Sequence, residues 1–153
     1  MTIRTNRARD IVSQLNPEKT YVVEIQEDTN KRSGQQNRLY WEIVGQIAKK
    51  LKFTPARVHN MMLRDYGEPM MIEGKYLAVR VRDTKEAYEQ LLEDIDLHLL
   101  PSKRFDIGDD GLEYRYYYQL KGSRQMNTAE MNKLIDGAMQ EAKNLNIELI
   151  YEE

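Results

Sequence analysis

Between Asn30 and Arg57 the chain has seven basic side chains, Lys31, Arg32, Arg38, Lys49, Lys50, Lys52 and Arg57, against a single acid, Glu42. Cations at that density neutralise phosphates and release condensed counterions, which gives affinity for nucleic acid without sequence preference. The amides Gln35, Gln36 and Asn37 lie among them, able to hydrogen-bond sugar, phosphate or base edges. Tyr40 and Trp41 supply ring faces on which unstacked bases stack, at ~1–3 kcal/mol per base. Cations, amides and aromatic faces together are what binding of single-stranded nucleic acid requires. The same residues read equally well as a solvated basic helix face with Trp41 folded into the core.

A second stretch, Tyr114-Arg115-Tyr116-Tyr117-Tyr118, alternates so that Tyr114, Tyr116 and Tyr118 share one strand face and Arg115 and Tyr117 the other. Tyrosine favours strands, so a half-buried sheet face accounts for most of this run. Nucleic-acid stacking and a subunit interface are the other two readings.

Other chemistry fails on spacing. Asp106, Gly108, Asp110 and Gly111 resemble the start of a calcium loop, but its twelfth position is Tyr117 where a bidentate glutamate is needed. They suit a hairpin turn better. A magnesium nuclease needs converging carboxylates, for which Asp83, Glu86, Asp94 and Asp96 are the candidates, yet helix capping and a helix end already explain them. There is no phosphate-binding glycine loop, nucleophile elbow or zinc-protease motif. His59 and His98, the only histidines, read as packed residues rather than catalysts.

The 153 residues fit one domain, 1–153, and cysteine is absent, which excludes disulfides and thiolate chemistry. No apolar run reaches the ~20 residues needed to span a bilayer, and no signal-peptide core is present, so a soluble cytoplasmic protein is expected. The net charge of −2 hides a split: residues 1–57 sum to +5 and residues 58–153 to −7. One end is built for anions and the remainder is acidic.

Several elements must position these residues. Residues 7–15 predict a short helix, closed by Asn16-Pro17. Tyr21 to Gln26 reads as a strand and Asp28 to Gly34 as a polar loop. Ser33 with Gln36 forms a capping box ahead of a helix whose apolar stripe is Leu39, Tyr40, Ile43, Val44, Ile47, Ala48 and Leu51. Thr54-Pro55 starts a helix that ends at Gly67. Met70 to Ile72 and Tyr76 to Val81 flank a hairpin turn at Glu73-Gly74-Lys75. Asp83 with Glu86 caps a further helix, and Leu97 to Ile107 pairs with Leu112 to Leu120 about Asp109-Asp110-Gly111. Asn127 with Glu130 caps the last helix, and Asn146 to Tyr151 reads as a terminal strand. Hairpins mixed with about four helices predict an α+β fold with small antiparallel or mixed sheets in one compact domain.

At Gln36-Asn37-Arg38-Leu39-Tyr40-Trp41, after the strand-like Val22 to Glu27 and the loop through Arg32-Ser33, the chain resembles the NinB family of phage recombination proteins. Gly122-Ser123-Arg124-Gln125-Met126, leading into Glu130, Met131 and Leu134, resembles that family's Ser-x-x-Met segment and terminal helix. The likeness covers about a third of the chain. It implies a non-enzymatic α+β recombination mediator, without cofactor, that prefers single-stranded DNA to duplex. It further implies engagement of a host single-strand-binding protein, help in recombinase loading, and two subunits closing a basic ring. Such a protein is phage- or prophage-encoded and acts in the bacterial cytoplasm. By position, Gln36, Asn37, Arg38 and Trp41 fall in the signature region and Arg124 in the second block. Joined to the basic stretch, the expected DNA-binding set is Lys31, Arg32, Gln35, Gln36, Asn37, Arg38, Trp41, Lys49, Lys50 and Arg124. The acidic end, Ile147 to Glu153, departs from what suits DNA. The competing readings are a magnesium-dependent nuclease or junction resolvase using Asp83 or Asp94, and an adaptor that binds proteins only.

Overall fold

The structure, a computed structural model, describes residues 8–23 and 34–150. The chain divides into two compact units, Met1–Asn30 and Lys31–Glu153.

In the first unit, helix α1 (Ala8–Ser13) occupies most of the stretch expected to be helical. Ser13 Oγ donates to the Asp10 carbonyl, and beyond the helix Asn16 Oδ1 accepts from Glu18 N at 2.9 Å, a side-chain turn before Pro17 can continue the helix. Tyr21 to Val23 has no regular structure; the rest of the expected strand and of the polar loop lies outside the described residues. Ser33 lies outside them too.

In the second unit, α2 (Gly34–Leu51) buries Tyr40, Ile43, Val44, Ile47 and Ala48 of the predicted stripe, with Leu39 and Leu51 half-buried against the same core. It stops at Lys52, whose positive φ of 58° lets Phe53 N reach back to the Ala48 carbonyl at 3.0 Å. Helix α3 (Pro55–Tyr66) begins where Thr54 Oγ1 accepts from Arg57 N at 3.1 Å and ends at Gly67. Helix α5 (Thr128–Asn144) is capped by Asn127 Oδ1 accepting from Glu130 N at 2.8 Å, as its sequence dictates. These three helices, with Leu120 and Met126, enclose the apolar core. Where α3 meets α5, a Cβ on Gly137 would overlap the Tyr66 ring, so the bare glycine lets the two helices cross without displacing it.

The strands form two antiparallel sheets. β1 (Met71–Ile72) and β2 (Lys75–Tyr76) close over Glu73 and Gly74, both at positive φ, the left-handed pair that a tight hairpin uses. The expected strand over Tyr76 to Val81 is split: after Leu77 the chain leaves that hairpin and becomes β3 (Ala78–Arg82), which joins β4 (Leu99–Ile107) and β5 (Glu113–Gln119) in the order β3-β5-β4. Both pairings are antiparallel, and the fold is α+β. Between Pro101 and Phe105 the β4 register shifts, and Ser102 Oγ donates to the Tyr116 carbonyl across the bulge.

Two local expectations change. Helix α4 (Lys85–Leu92) is capped by Thr84, whose Oγ1 accepts from Ala87 N at 3.1 Å, not by Asp83. Arg115 grips Asp83 through Nε and Nη2, both at 3.1 Å, and the adjacent hydroxyl takes over the cap. The terminal strand expected from Asn146 does not form over residues 146–150, and Tyr151 lies outside the described residues. Gln46 of α2 substitutes: its Nε2 donates to the Ile150 carbonyl at 2.8 Å and its Oε1 accepts from Ile150 N at 3.0 Å.

Candidate nucleic-acid interface

The amphipathic period that buries one side of α2 sends Gln35, Arg38, Gly45, Lys49 and Lys50 to solvent. Arg38 and Lys49 are 11 residues apart, which returns them to nearly the same direction about ~16 Å along the axis. Arg38, Lys49 and Lys50 form no ion pair among the described residues, so their charges are available to a ligand. The space outside Gly45 is open to 4 Å, leaving a flat stretch between the two ends of the stripe. Lys49 and Lys50 also complement the negative end of the helix dipole. Arg57, by contrast, is drawn away from the basic stretch. It donates to Glu89 at 2.8 Å and lies 3.4 Å from Glu93, pairs that raise its pKa.

The other predicted residues divide by environment. Gln36 Nε2 donates to the Thr128 carbonyl at 3.1 Å and to Asn132 Oδ1 at 2.7 Å, tying the start of α2 to the start of α5. Asn37 is half-buried, and its Oδ1 has no hydrogen-bond partner. Trp41 is 37% exposed: one part of the indole packs edge-on to Tyr40 and tilts against His59 at 4.6 Å, the rest meets solvent. The indole is thus partly packed and partly exposed. Arg124 is exposed on a single 3-10 turn (Ser123–Gln125) that leads into α5. Lys31 and Arg32 lie outside the described residues.

Beneath Trp41 is a feature that residue-by-residue reading passed over. The His59 ring lies 5.1 Å from the His98 ring, edge to face, and both residues are buried. A Cβ on Gly122 would lie 3.3 Å from His98 Cδ2 and Nε2. Trp41, His59, His98 and Gly122 thus form a continuous line that brings the Gln36–Trp41 block against the Gly122–Met126 block. Polar partners fix the rings: Tyr40 Oη and His59 Nδ1 are 2.6 Å apart, as are His98 Nδ1 and Asn60 Oδ1. Asn60 Nδ2 donates to the Leu92 and Asp94 carbonyls, which orients its oxygen as the acceptor for His98 Nδ1–H. Burial, assisted by the neighbouring His98, drives the His59 pKa down to about 3, and burial lowers that of His98. Both rings are neutral at pH 7, and burial raises the pKa of the Tyr40 phenol, so it donates to His59. No sequence motif links positions 41, 59, 98 and 122; four segments must pack before they meet.

The three-stranded sheet holds a second cluster. Register places Arg80 and Arg82 opposite Tyr116 and Tyr114, on the face shared with Tyr118. Arg80 lies 3.9 Å over the Tyr114 ring and Arg104 4.3 Å over the Tyr116 ring. Asp106 accepts from Arg80 and from the Tyr116 hydroxyl, and Asp110 accepts from the Tyr114 hydroxyl; these bonds hold both carboxyls below their ordinary pKa. On the opposite face Tyr117 is buried at 2% exposure, as the alternation requires.

Two of the four carboxylates that could serve a metal have other partners. Asp83 pairs with Arg115, and Asp94 Oδ1 accepts from Asp96 N and Leu97 N, which lowers its pKa. Among the described residues no three His, Asp or Glu side chains converge to hold a metal ion, and no helix is long and apolar enough to cross a membrane. No family model, no curated protein and no solved structure matches this chain.

Proposed function

We propose that the chain binds single-stranded DNA through the solvent face of α2 and acts as a non-enzymatic recombination accessory. One observation carries this reading: Arg38, Lys49 and Lys50 stand exposed without acidic partners on the helix that also presents the outer part of the Trp41 indole. Phosphates supply the binding energy through the cations, and an unstacked base, which duplex DNA does not offer, meets the indole. Gln36 and His59 act from behind, holding the helix start and the indole in place. The packing of the two blocks that resemble NinB proteins across the histidine pair is consistent with that family's role. On this reading the protein works in the cytoplasm of a bacterial host, as a homodimer and beside the host single-strand-binding protein.

The test is an anisotropy titration of labelled single-stranded and duplex DNA at two salt concentrations, with Mg²⁺ present and the DNA assayed for cleavage. The expected result is single-strand binding that weakens steeply with salt, leaves the DNA intact and is lost in Arg38→Ala/Lys49→Ala. Absence of binding at low salt overturns the proposal, and Mg²⁺-dependent cleavage replaces it with the nuclease reading.

A further inference from the structure

The sheet face formed by β3, β5 and β4 has the composition of a ligand surface more than of a protein interior. Its acids are internally committed: Asp106 to Arg80 and Tyr116, Asp110 to Tyr114. Its remaining cations are held less closely. Arg82 and Arg104 are exposed and form no hydrogen bond or close ion pair with an acid among the described residues, acting on Asp110 and Asp106 only by longer-range attraction. Arg104 is nonetheless held in place by stacking at 4.3 Å on Tyr116, and Arg82 reaches to 5.9 Å over Tyr114. A guanidinium seated on a ring presents its outer plane and its donor fork to whatever approaches, with part of its conformational entropy already spent. The row continues to Tyr118 and Tyr76, which are 38% and 56% exposed with ring centroids 5.5 Å apart.

The geometry also discriminates between occupants. Tyr114, Tyr116 and Tyr118 are alternate residues of one strand and so repeat at about 7 Å. Bases in duplex DNA repeat at about 3.4 Å along the axis and keep their faces covered. An extended, unstacked strand can follow the wider repeat, offering a planar base to a ring or guanidinium and a phosphate to an arginine fork. An acidic peptide satisfies the arginines and leaves the row of rings unused.

We infer that this face, centred on Arg82, Arg104 and Tyr118, is a second contact surface for single-stranded nucleic acid, separate from α2; the inference rests on the reading that the protein binds such a strand. The experiment is titration of labelled oligothymidylate with the full chain across a salt series, comparing wild type with Arg82→Ala/Arg104→Ala, Tyr118→Ala and Tyr118→Phe. Circular dichroism checks that each variant is folded, and the exposed positions make that the expected outcome. Losing two phosphate contacts reduces the slope of log affinity against log salt by about 1.4. Tyr118→Ala weakens binding roughly 5- to 140-fold with the slope unchanged, and Tyr118→Phe, which keeps the ring, restores it. If these variants bind as wild type does while Arg38→Ala/Lys49→Ala binds weakly, the inference falls and the α2 proposal stands. If wild type binds no single strand at low salt, both fall. If wild type binds polyglutamate through Arg82 and Arg104 with strand affinity unaltered by their loss, the face belongs to an acidic protein partner and the inference is overturned.

Discussion

The helical core and the three-stranded sheet are held together by different physics. Helices α2, α3 and α5 interlock apolar side chains, with Tyr40, Ile43, Val58, Leu63, Met131 and Leu134 at or near zero exposure. The sheet buries little apolar surface: β3 alternates between exposed and half-buried, and Phe105 and Ile107 stand 62% and 68% exposed. Its side chains are joined instead by arginine–tyrosine stacks and by hydrogen bonds to Asp106, Asp110 and Asp83. Apolar burial is insensitive to salt, whereas charged contacts at the surface are screened by it. The core fixes the fold, and the sheet keeps its arginine and tyrosine side chains tied to one another while leaving them in water.

The largest way to break this contrast is to open a cavity. Leu134→Ala, in the fully buried core, is expected to cost about 2–5 kcal/mol in urea unfolding, because its surroundings from three helices cannot all collapse into the gap. Acid is next. The folded chain keeps His59 neutral down to about pH 3, while an unfolded histidine accepts a proton near ~6.5. Stability therefore falls as the pH drops from about 6.5 towards 3, by up to about 1.4 kcal/mol per pH unit. Urea midpoints measured across that range check it, and His59→Gln should flatten the dependence. The carboxyls of the sheet behave differently: with their pKa depressed, their contribution is present above the ordinary ~3.9 and is lost only as the pH falls through the lower folded value. Between pH 6 and 4 the loss should thus come from the helices and leave the sheet's tyrosine signal unchanged.

Asp106→Asn sharpens the comparison from the other side. It weakens the contacts to Arg80 and Tyr116, and should speed hydrogen exchange in β4 and β5 while helical amides and the urea midpoint move far less than in Leu134→Ala. Smallest of all, Gln46→Ala removes both bonds to Ile150, and should release residues 147–150 to proteolysis at a global cost under about 1 kcal/mol.

What could be read in advance follows the range of the interaction. The α2 stripe, the Thr54 and Asn127 caps and the Glu73-Gly74 and Asp109-Asp110-Gly111 turns are decided within a few residues, and all form as the sequence predicts. The split of Tyr114, Tyr116 and Tyr118 from Arg115 and Tyr117 is likewise local, being the period of a strand. The failures are contests settled at a distance. Asp83 had a nearby helix to cap and was taken by Arg115; Arg57 had a basic neighbourhood and was taken by Glu89 and Glu93. Residues 147–150 include strand-forming side chains and pair with no strand among the described residues. The His59–His98 contact joins positions whose relation exists only after α3 and the start of β4 have packed.

The bulge in β4 has a bearing on how these molecules meet one another. With the order β3-β5-β4, the long strand β4 is an outer edge, and such edges invite a neighbour to add its own strand. Here Pro101 lacks an amide hydrogen, and the register shift before Phe105 breaks the regular row of donors and acceptors, with Lys103 placing a charge in the gap. A second copy approaching edge to edge finds no continuous ladder to complete. Along β4, then, the sheet keeps its aromatic side chains in solvent without offering a second copy a ladder to extend.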